Sequence, residues 1–154
     1  MPSIYLETTI PSYLVSRPSR DLVTAAHQQI THEWWAQARA NFDIFVSEAV
    51  LEEIREGDQA LSVRRLEFVK DLPILTLNAE VGVLVQHYSG RLGLPEHAST
   101  DMLHIAFAVA YGLDYLVTWN CKHIANGRVI RRLASINREV GRPTPIIVTP
   151  EELS

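Results

Sequence analysis

Residues 99–123 read STDMLHIAFAVAYGLDYLVTWNCKH, and this stretch decides the fold class. Its pattern predicts an apolar helix over Asp101–Tyr111 and a short apolar strand over Tyr115–Thr118, both of the kind that is buried between layers. Two isolated polar residues stand at the ends of these elements, because Asp101 begins the helix and Asn120 follows the strand. Burying an unpaired carboxylate costs at least several kcal/mol. We therefore expect Asp101 to face a metal, a cation or a cleft.

The rest of the chain alternates short apolar strands with helices. Strands are predicted over residues 3–6, 42–46, 73–77 and 146–148, and helices over residues 22–40, 48–56, 60–70, 79–88 and 128–140. Pro11 is expected to break up the segment after the first strand. Because parallel strands need crossover helices, this alternation predicts an α/β fold with a largely parallel sheet. A length of 154 residues fits one domain, residues 1–154.

Composition and charge narrow the class of protein. Hydrophobic residues make up 47% and charged residues 21%, which is ordinary for a globular protein, and no apolar run is long enough to span a bilayer. No secretory signal is recognised and Cys121 is the single cysteine, so we expect a cytoplasmic protein. The net charge is −4, yet residues 122–142 hold six basic side chains and one acid. That local basic surface either binds a phosphate backbone or solvates a helix.

Two further carboxylates are candidates for the same site as Asp101. Glu7 directly follows the first strand, and polar groups beyond the carboxyl ends of parallel strands line the usual site of such sheets. Glu53 lies at the border of the apolar face of its helix, whereas Glu52 points away from that face. Carboxylates gathered from separate segments suit hard cations such as Mg²⁺ or Mn²⁺. Each acid also has the plainer reading of a solvated loop or helix residue.

Four segments together resemble the motifs of PIN-domain proteins, particularly toxin ribonucleases of the VapC type. They are YLETTIPSYL (5–14), SEAVLEEI (47–54), TDMLHIAFA (100–108) and LVTWNCKHI (116–124). The resemblance covers essentially the whole chain. It implies a three-layer α/β/α PIN-like fold and a Mg²⁺- or Mn²⁺-dependent endoribonuclease acting on RNA. It also implies a homodimer and an antitoxin partner.

Matched motif to motif, the resemblance assigns the catalytic positions to Glu7, Glu53, Asp101 and Asn120, with the three acids as metal ligands. Asn120 stands where the family usually has Asp, and Glu7 is one methylene longer than the usual Asp. The missing charge at Asn120 predicts one well-bound metal and a weaker second one. The expected substrate-binding residues are those that flank the motifs, namely Thr8, Thr118, Lys122 and His123.

Other readings of these residues stay open at the level of sequence. Loss of a charge at Asn120 is also typical of a PIN-like module that binds RNA or protein without cutting it. His97, Asp101 and His104 resemble a zinc ligand set, although His97 precedes the helix that carries the other two. Cys121 with His123 is a weaker candidate for a nucleophile and its base. His104 itself is typical of a hydrogen-bonded core histidine.

Overall fold

Five parallel strands form one sheet at the centre of the protein, in a computed structural model that describes residues 1–154. The strands are β1 (Ser3–Leu6), β2 (Asp43–Ser47), β3 (Ile74–Leu75), β4 (Tyr115–Val117) and β5 (Ile146–Val148). Their spatial order is β3-β2-β1-β4-β5, and every neighbouring pair is parallel. The predicted α/β class is confirmed, and the sheet is parallel throughout rather than in most of its strands.

Seven α-helices flank this sheet and complete a PIN-like three-layer fold. They are α1 (Thr9–Val15), α2 (Leu22–Asn41), α3 (Glu48–Arg55), α4 (Gln59–Val69), α5 (Ala79–Tyr88), α6 (Ser99–Ala110) and α7 (Gly127–Val140). Two short 3-10 helices, Glu96–Ala98 and Pro150–Leu153, complete the regular structure. None of the helices combines the length and the apolar character that crossing a bilayer requires.

The boundaries of the helices follow from polar caps in the sequence. The side chain of Ser47 accepts a hydrogen bond from the backbone N–H of Val50 and begins α3, as predicted. Asn126 caps α7 in the same way. At the other end of α7, Gly141 adopts φ of 72°, a left-handed conformation that glycine adopts without steric cost.

The segment after β1 differs from the prediction, because it forms the helix α1 despite Pro11. Proline is tolerated in the first turn of a helix, where a backbone N–H has no partner within the helix. Pro11 is the third residue of α1, and the helix buries Ile10, Leu14 and Val15 together with that proline. The helix therefore places Thr8 and Thr9 directly after the central strand, beside Glu7.

The order of the strands reverses between β1 and β4. The chain runs from β1 outward to β2 and β3, then crosses back to β4 and continues outward to β5 on the other side. In open parallel sheets, the crevice beyond the carboxyl ends of the strands at such a change of direction is the usual site. Glu7 follows β1 here, and its backbone N–H donates to the carbonyl of Val117 at the end of β4 (3.1 Å).

Candidate metal site

Glu7 is a buried carboxylate, 3% exposed, that three donors hold on one of its oxygens. Its Oε1 accepts hydrogen bonds from the backbone N–H of Thr9 (3.1 Å), the Thr9 hydroxyl (2.5 Å) and the Thr118 hydroxyl (2.6 Å). The other oxygen, Oε2, lies 4.0 Å from Nε2 of His104. The sheet and α1 therefore fix the Glu7 carboxylate while Oε2 keeps the capacity to bind a cation.

The two threonine hydroxyls are themselves oriented by the loop that follows β4. Thr9 Oγ1 accepts a hydrogen bond from the backbone N–H of Trp119, and Thr118 Oγ1 accepts one from the backbone N–H of Asn120, both at 2.9 Å. A hydroxyl has a single proton to donate. Because the backbone supplies each oxygen with a donor, that proton is directed to the Glu7 carboxylate.

Glu53 reaches the same place from helix α3, at the border position that its sequence pattern predicted. Its Oε1 accepts a hydrogen bond from the Thr8 hydroxyl (2.6 Å) and contacts Nε2 of His104 (2.5 Å). Partial burial acts to raise the pKa of Glu53, but the hydrogen bonds and charge of His104, with the Thr8 hydroxyl, outweigh it and lower that pKa. The Glu53 side chain keeps 30% of its surface exposed, so this acid opens the site to solvent.

His104 lies between the two acids on α6 and is completely buried. Its Nδ1 hydrogen-bonds with the hydroxyl of Tyr5 (2.5 Å), which in turn hydrogen-bonds with the hydroxyl of Ser47 (2.7 Å). Burial acts to lower the pKa of His104, but its hydrogen bond with Glu53 and the charges of nearby carboxylates raise it above its usual value. The neighbouring carboxylates therefore favour the protonated form of His104.

Glu7, Glu53 and His104 form the one group of potential metal ligands whose ligand atoms converge, all within 4.8 Å of one another. Asp101 lies on α6, one turn before His104, and its charge is among those that raise the histidine pKa. Its Oδ2 hydrogen-bonds with Nδ1 of His123 (2.8 Å), and both side chains are mostly buried. The site thus consists of a buried inner group and an adjoining Asp101–His123 pair.

The remaining predicted residues lie at the rim of the site or support it. Asn120 uses its side-chain oxygen to accept a hydrogen bond from the backbone N–H of His123 (2.9 Å) and so stabilises the turn after β4. Thr8 and Thr118 donate their hydroxyl protons to Glu53 and Glu7. Lys122 is exposed. Two of these four predicted residues, Thr8 and Thr118, therefore bind the acids directly.

The two weaker alternatives find no support in this geometry. The rings of His97 and His123 form a T-shaped pair, with centroids 5.9 Å apart, and His97 does not converge with Asp101 and His104. Burial and the charge of Glu152 raise the pKa of Cys121, which is the opposite of what an activated thiol requires. Neither a zinc site of that composition nor a cysteine nucleophile is formed.

Comparison with solved structures identifies the fold. A chain of VapBC2 from Rickettsia felis, a complex solved bound to a DNA fragment from its promoter, matches with a TM-score of 0.60. The match covers 95% of this chain and 98% of that chain, at 19% sequence identity. The two chains share a fold. No protein-family model matches the sequence, and no curated protein matches it.

Sequence reasoning did not assign Tyr5 or Ser47 to the site, whereas it did name Thr9 as a hydroxyl that supports the acids, as its bond to Glu7 shows. A signal for Tyr5 was present, because a tyrosine in an otherwise apolar buried strand requires a partner for its hydroxyl. His104 was expected to be a hydrogen-bonded core histidine; the structure buries it, and its hydrogen-bond partners are Tyr5 and Glu53. These partners could not be found from the sequence pattern, because Tyr5, Glu53 and His104 come from β1, α3 and α6, which are far apart in the chain.

Proposed function

We propose that this protein is a metal-dependent endoribonuclease that hydrolyses RNA phosphodiester bonds. The observation that carries the proposal is the pair of carboxylates Glu7 and Glu53, which lie beyond the carboxyl ends of parallel strands. The Oε1 atom of each carboxylate accepts hydrogen bonds from the protein. Their Oε2 atoms accept no hydrogen bond from the protein and are available to a cation. The VapBC2 fold supports the same assignment.

The donors present fit a divalent cation. Glu7 and Glu53 would hold the ion, with Asp101 as the third carboxylate, and oxygen ligands of this kind suit Mg²⁺ or Mn²⁺. When bound, the ion supplies positive charge to the phosphodiester during in-line displacement. Thr9 and Thr118 keep the Glu7 carboxylate in place, and the Thr8 hydroxyl does the same for Glu53.

The RNA backbone binds across the rim that follows β4. Lys122 is exposed there, and the adjoining helix α7 carries exposed arginines, Arg128, Arg131, Arg132 and Arg138. These side chains offer positive charge to a phosphate backbone that leads away from the acids along α7. His123, which Asp101 holds by a hydrogen bond, would be available to a phosphate bound beside the acids.

An antitoxin is the proposed protein partner, by analogy with the VapBC2 complex. The motif resemblance also supports a homodimer as the form of the protein. We place this homodimer in the cytoplasm. Sedimentation of the purified protein, alone and with the product of a small adjacent open reading frame, tests both partners. A protein that sediments as a monomer and does not bind that product contradicts both proposed partners. The nuclease proposal does not depend on this result.

Thr118→Val is expected to weaken Mn²⁺ binding about 10- to 100-fold, the usual effect of removing a hydrogen-bond partner of a metal ligand. The change keeps the shape of the side chain but removes the proton donated to Glu7. Calorimetric titration measures the effect. Thr118→Ser keeps the hydroxyl and is the matched control, so equal losses in both variants argue against this hydrogen bond.

Asp101→Asn tests whether Asp101 belongs to the proposed catalytic site. We expect Mn²⁺-dependent cleavage of single-stranded RNA to fall at least about 100-fold, because loss of a ligand exceeds the 10- to 100-fold effect of losing a ligand's partner. The thermal transition of the variant checks that it is folded. Undiminished cleavage by folded Asp101→Asn removes Asp101 from the proposed site.

The second candidate is a PIN-like module that binds RNA or protein without cleavage. The observation that favours it is the role of Asn120. Its side-chain oxygen accepts a hydrogen bond from the backbone N–H of His123 within the turn, and the side chain adds no charge to the site. Under this function, wild-type protein retains RNA in a binding assay but cleaves none of it with Mg²⁺ or Mn²⁺.

A further inference from the structure

His104 is the group whose contacts go beyond the proposed carboxylate site. It is completely buried, and its Nε2 faces both acids, 2.5 Å from Glu53 Oε1 and 4.0 Å from Glu7 Oε2. A histidine that only filled the core would not direct a ring nitrogen between two carboxylates. The ring is instead placed where a cation held by the acids would meet it.

The opposite side of the ring is held as in metal-binding histidines. A histidine that ligates a metal almost always hydrogen-bonds through its other ring nitrogen, which fixes the orientation of the ring. Here Nδ1 hydrogen-bonds with the Tyr5 hydroxyl, and Tyr5 is held by Ser47. The Tyr5 and His104 rings also pack edge to face, with centroids 5.7 Å apart. This support comes from β1 and β2, so it does not depend on a metal.

The spacing of the ligand atoms is compatible with one ion. Two ligands that each lie about 2.1 Å from an ion are at most about 4.2 Å apart. His104 Nε2 and Glu7 Oε2 are already within that limit, and both residues are fixed by hydrogen bonds to the protein. Glu53 is the partly exposed member, so its side chain can move from His104 toward an entering ion.

We propose that His104 Nε2 is a metal ligand, and that the site therefore prefers a first-row transition ion over Mg²⁺. Mg²⁺ is held by oxygen ligands, whereas imidazole nitrogen suits transition ions. The inference rests on the proposed metal-dependent nuclease and specifies the ion at its centre. Tyr5 acts as a positioning residue, because it touches the ligand and not the ion.

Pulsed electron paramagnetic resonance of bound Mn²⁺ tests this inference without a loss-of-function variant. The wild-type protein is expected to show coupling of the Mn²⁺ electron spin to ¹⁴N, replaced by ¹⁵N coupling when the histidines alone are ¹⁵N-labelled. His104→Gln is expected to lose the coupling, whereas the control His32→Gln, at an exposed position of α2, keeps it. If His104→Gln does not fold, the labelled wild type and Tyr5→Phe carry the test.

Metal titration gives the second readout. Mn²⁺ affinity is expected to fall about 10- to 100-fold in Tyr5→Phe, the effect of removing a ligand's hydrogen-bond partner, and Mg²⁺ affinity to remain below that of Mn²⁺ in the wild type. Bound Mn²⁺ without nitrogen coupling overturns the inference but leaves the nuclease proposal standing. Coupling that survives in His104→Gln and disappears in His123→Gln assigns the nitrogen to His123 and also overturns it. A protein that binds neither ion contradicts both proposals.

Discussion

Glu7→Gln is expected to lower Mn²⁺-dependent RNA cleavage by about 10³-fold or more while leaving the fold intact. The hydroxyls of Thr9 and Thr118 donate to Oε1, so they select the amide oxygen of the new side chain for that position. The amide NH₂ then occupies the place of Oε2, where it cannot bind a cation. A metal ion contributes several kcal/mol to such a reaction, and each 1.4 kcal/mol is about tenfold in rate.

Glu52→Gln is the matched control for that change. Glu52 is exposed on α3, next to Glu53 in sequence, so its replacement removes one carboxylate without touching the site. Cleavage rates of a single-stranded RNA and thermal unfolding are measured for both variants. Equal rates in Glu7→Gln and Glu52→Gln contradict a catalytic function for Glu7.

Phe107→Ala is expected to lower the free energy of unfolding by about 3–5 kcal/mol, the usual effect of such a truncation in a core. Phe107 is 1% exposed on α6 and stacks against Tyr5 and Tyr111, with ring centroids 6.5 and 6.4 Å away. The loss is large against a typical total stability of about 5–15 kcal/mol. Because Tyr5 supports His104, the cavity also loosens one wall of the site.

Urea denaturation measures this change, with Val83→Ala as its control. Val83 lies on α5 and is 50% exposed, so we expect its truncation to alter the free energy of unfolding by less than about 0.5 kcal/mol. A loss below about 1 kcal/mol in Phe107→Ala contradicts the packing of α6 against the central strand.

The fold was predictable because its signals are local. The predicted bounds are correct for β1, α5 and β5, which span Ser3–Leu6, Ala79–Tyr88 and Ile146–Val148. The reason is that short apolar strands and capped helices depend on residues that are close together in the sequence. The helix α6 begins two residues earlier than predicted, at Ser99. Helix α1 was missed because Pro11 was interpreted as a break, whereas its missing N–H costs nothing in a first turn.

The positions of the acids were predictable, but their partners were not. Periodicity placed Glu53 at the border of its helix, and the structure brings it to Glu7 through His104. The Asp101–His123 hydrogen bond joins residues from α6 and from the turn after β4, and local patterns contain no information about such contacts. The same holds for the Thr118 hydroxyl, whose partner lies 111 residues away in sequence.

Cleavage of single-stranded RNA by the purified wild-type protein, with Mn²⁺ and then with an excess of chelator, tests the central claim most directly. The account predicts internal cleavage with Mn²⁺, none with chelator, and recovery when Mn²⁺ is restored. Parallel reactions with Glu7→Gln exclude a contaminating nuclease. Equal cleavage with chelator, or cleavage by Glu7→Gln at the wild-type rate, contradicts a nuclease centred on Glu7 and Glu53.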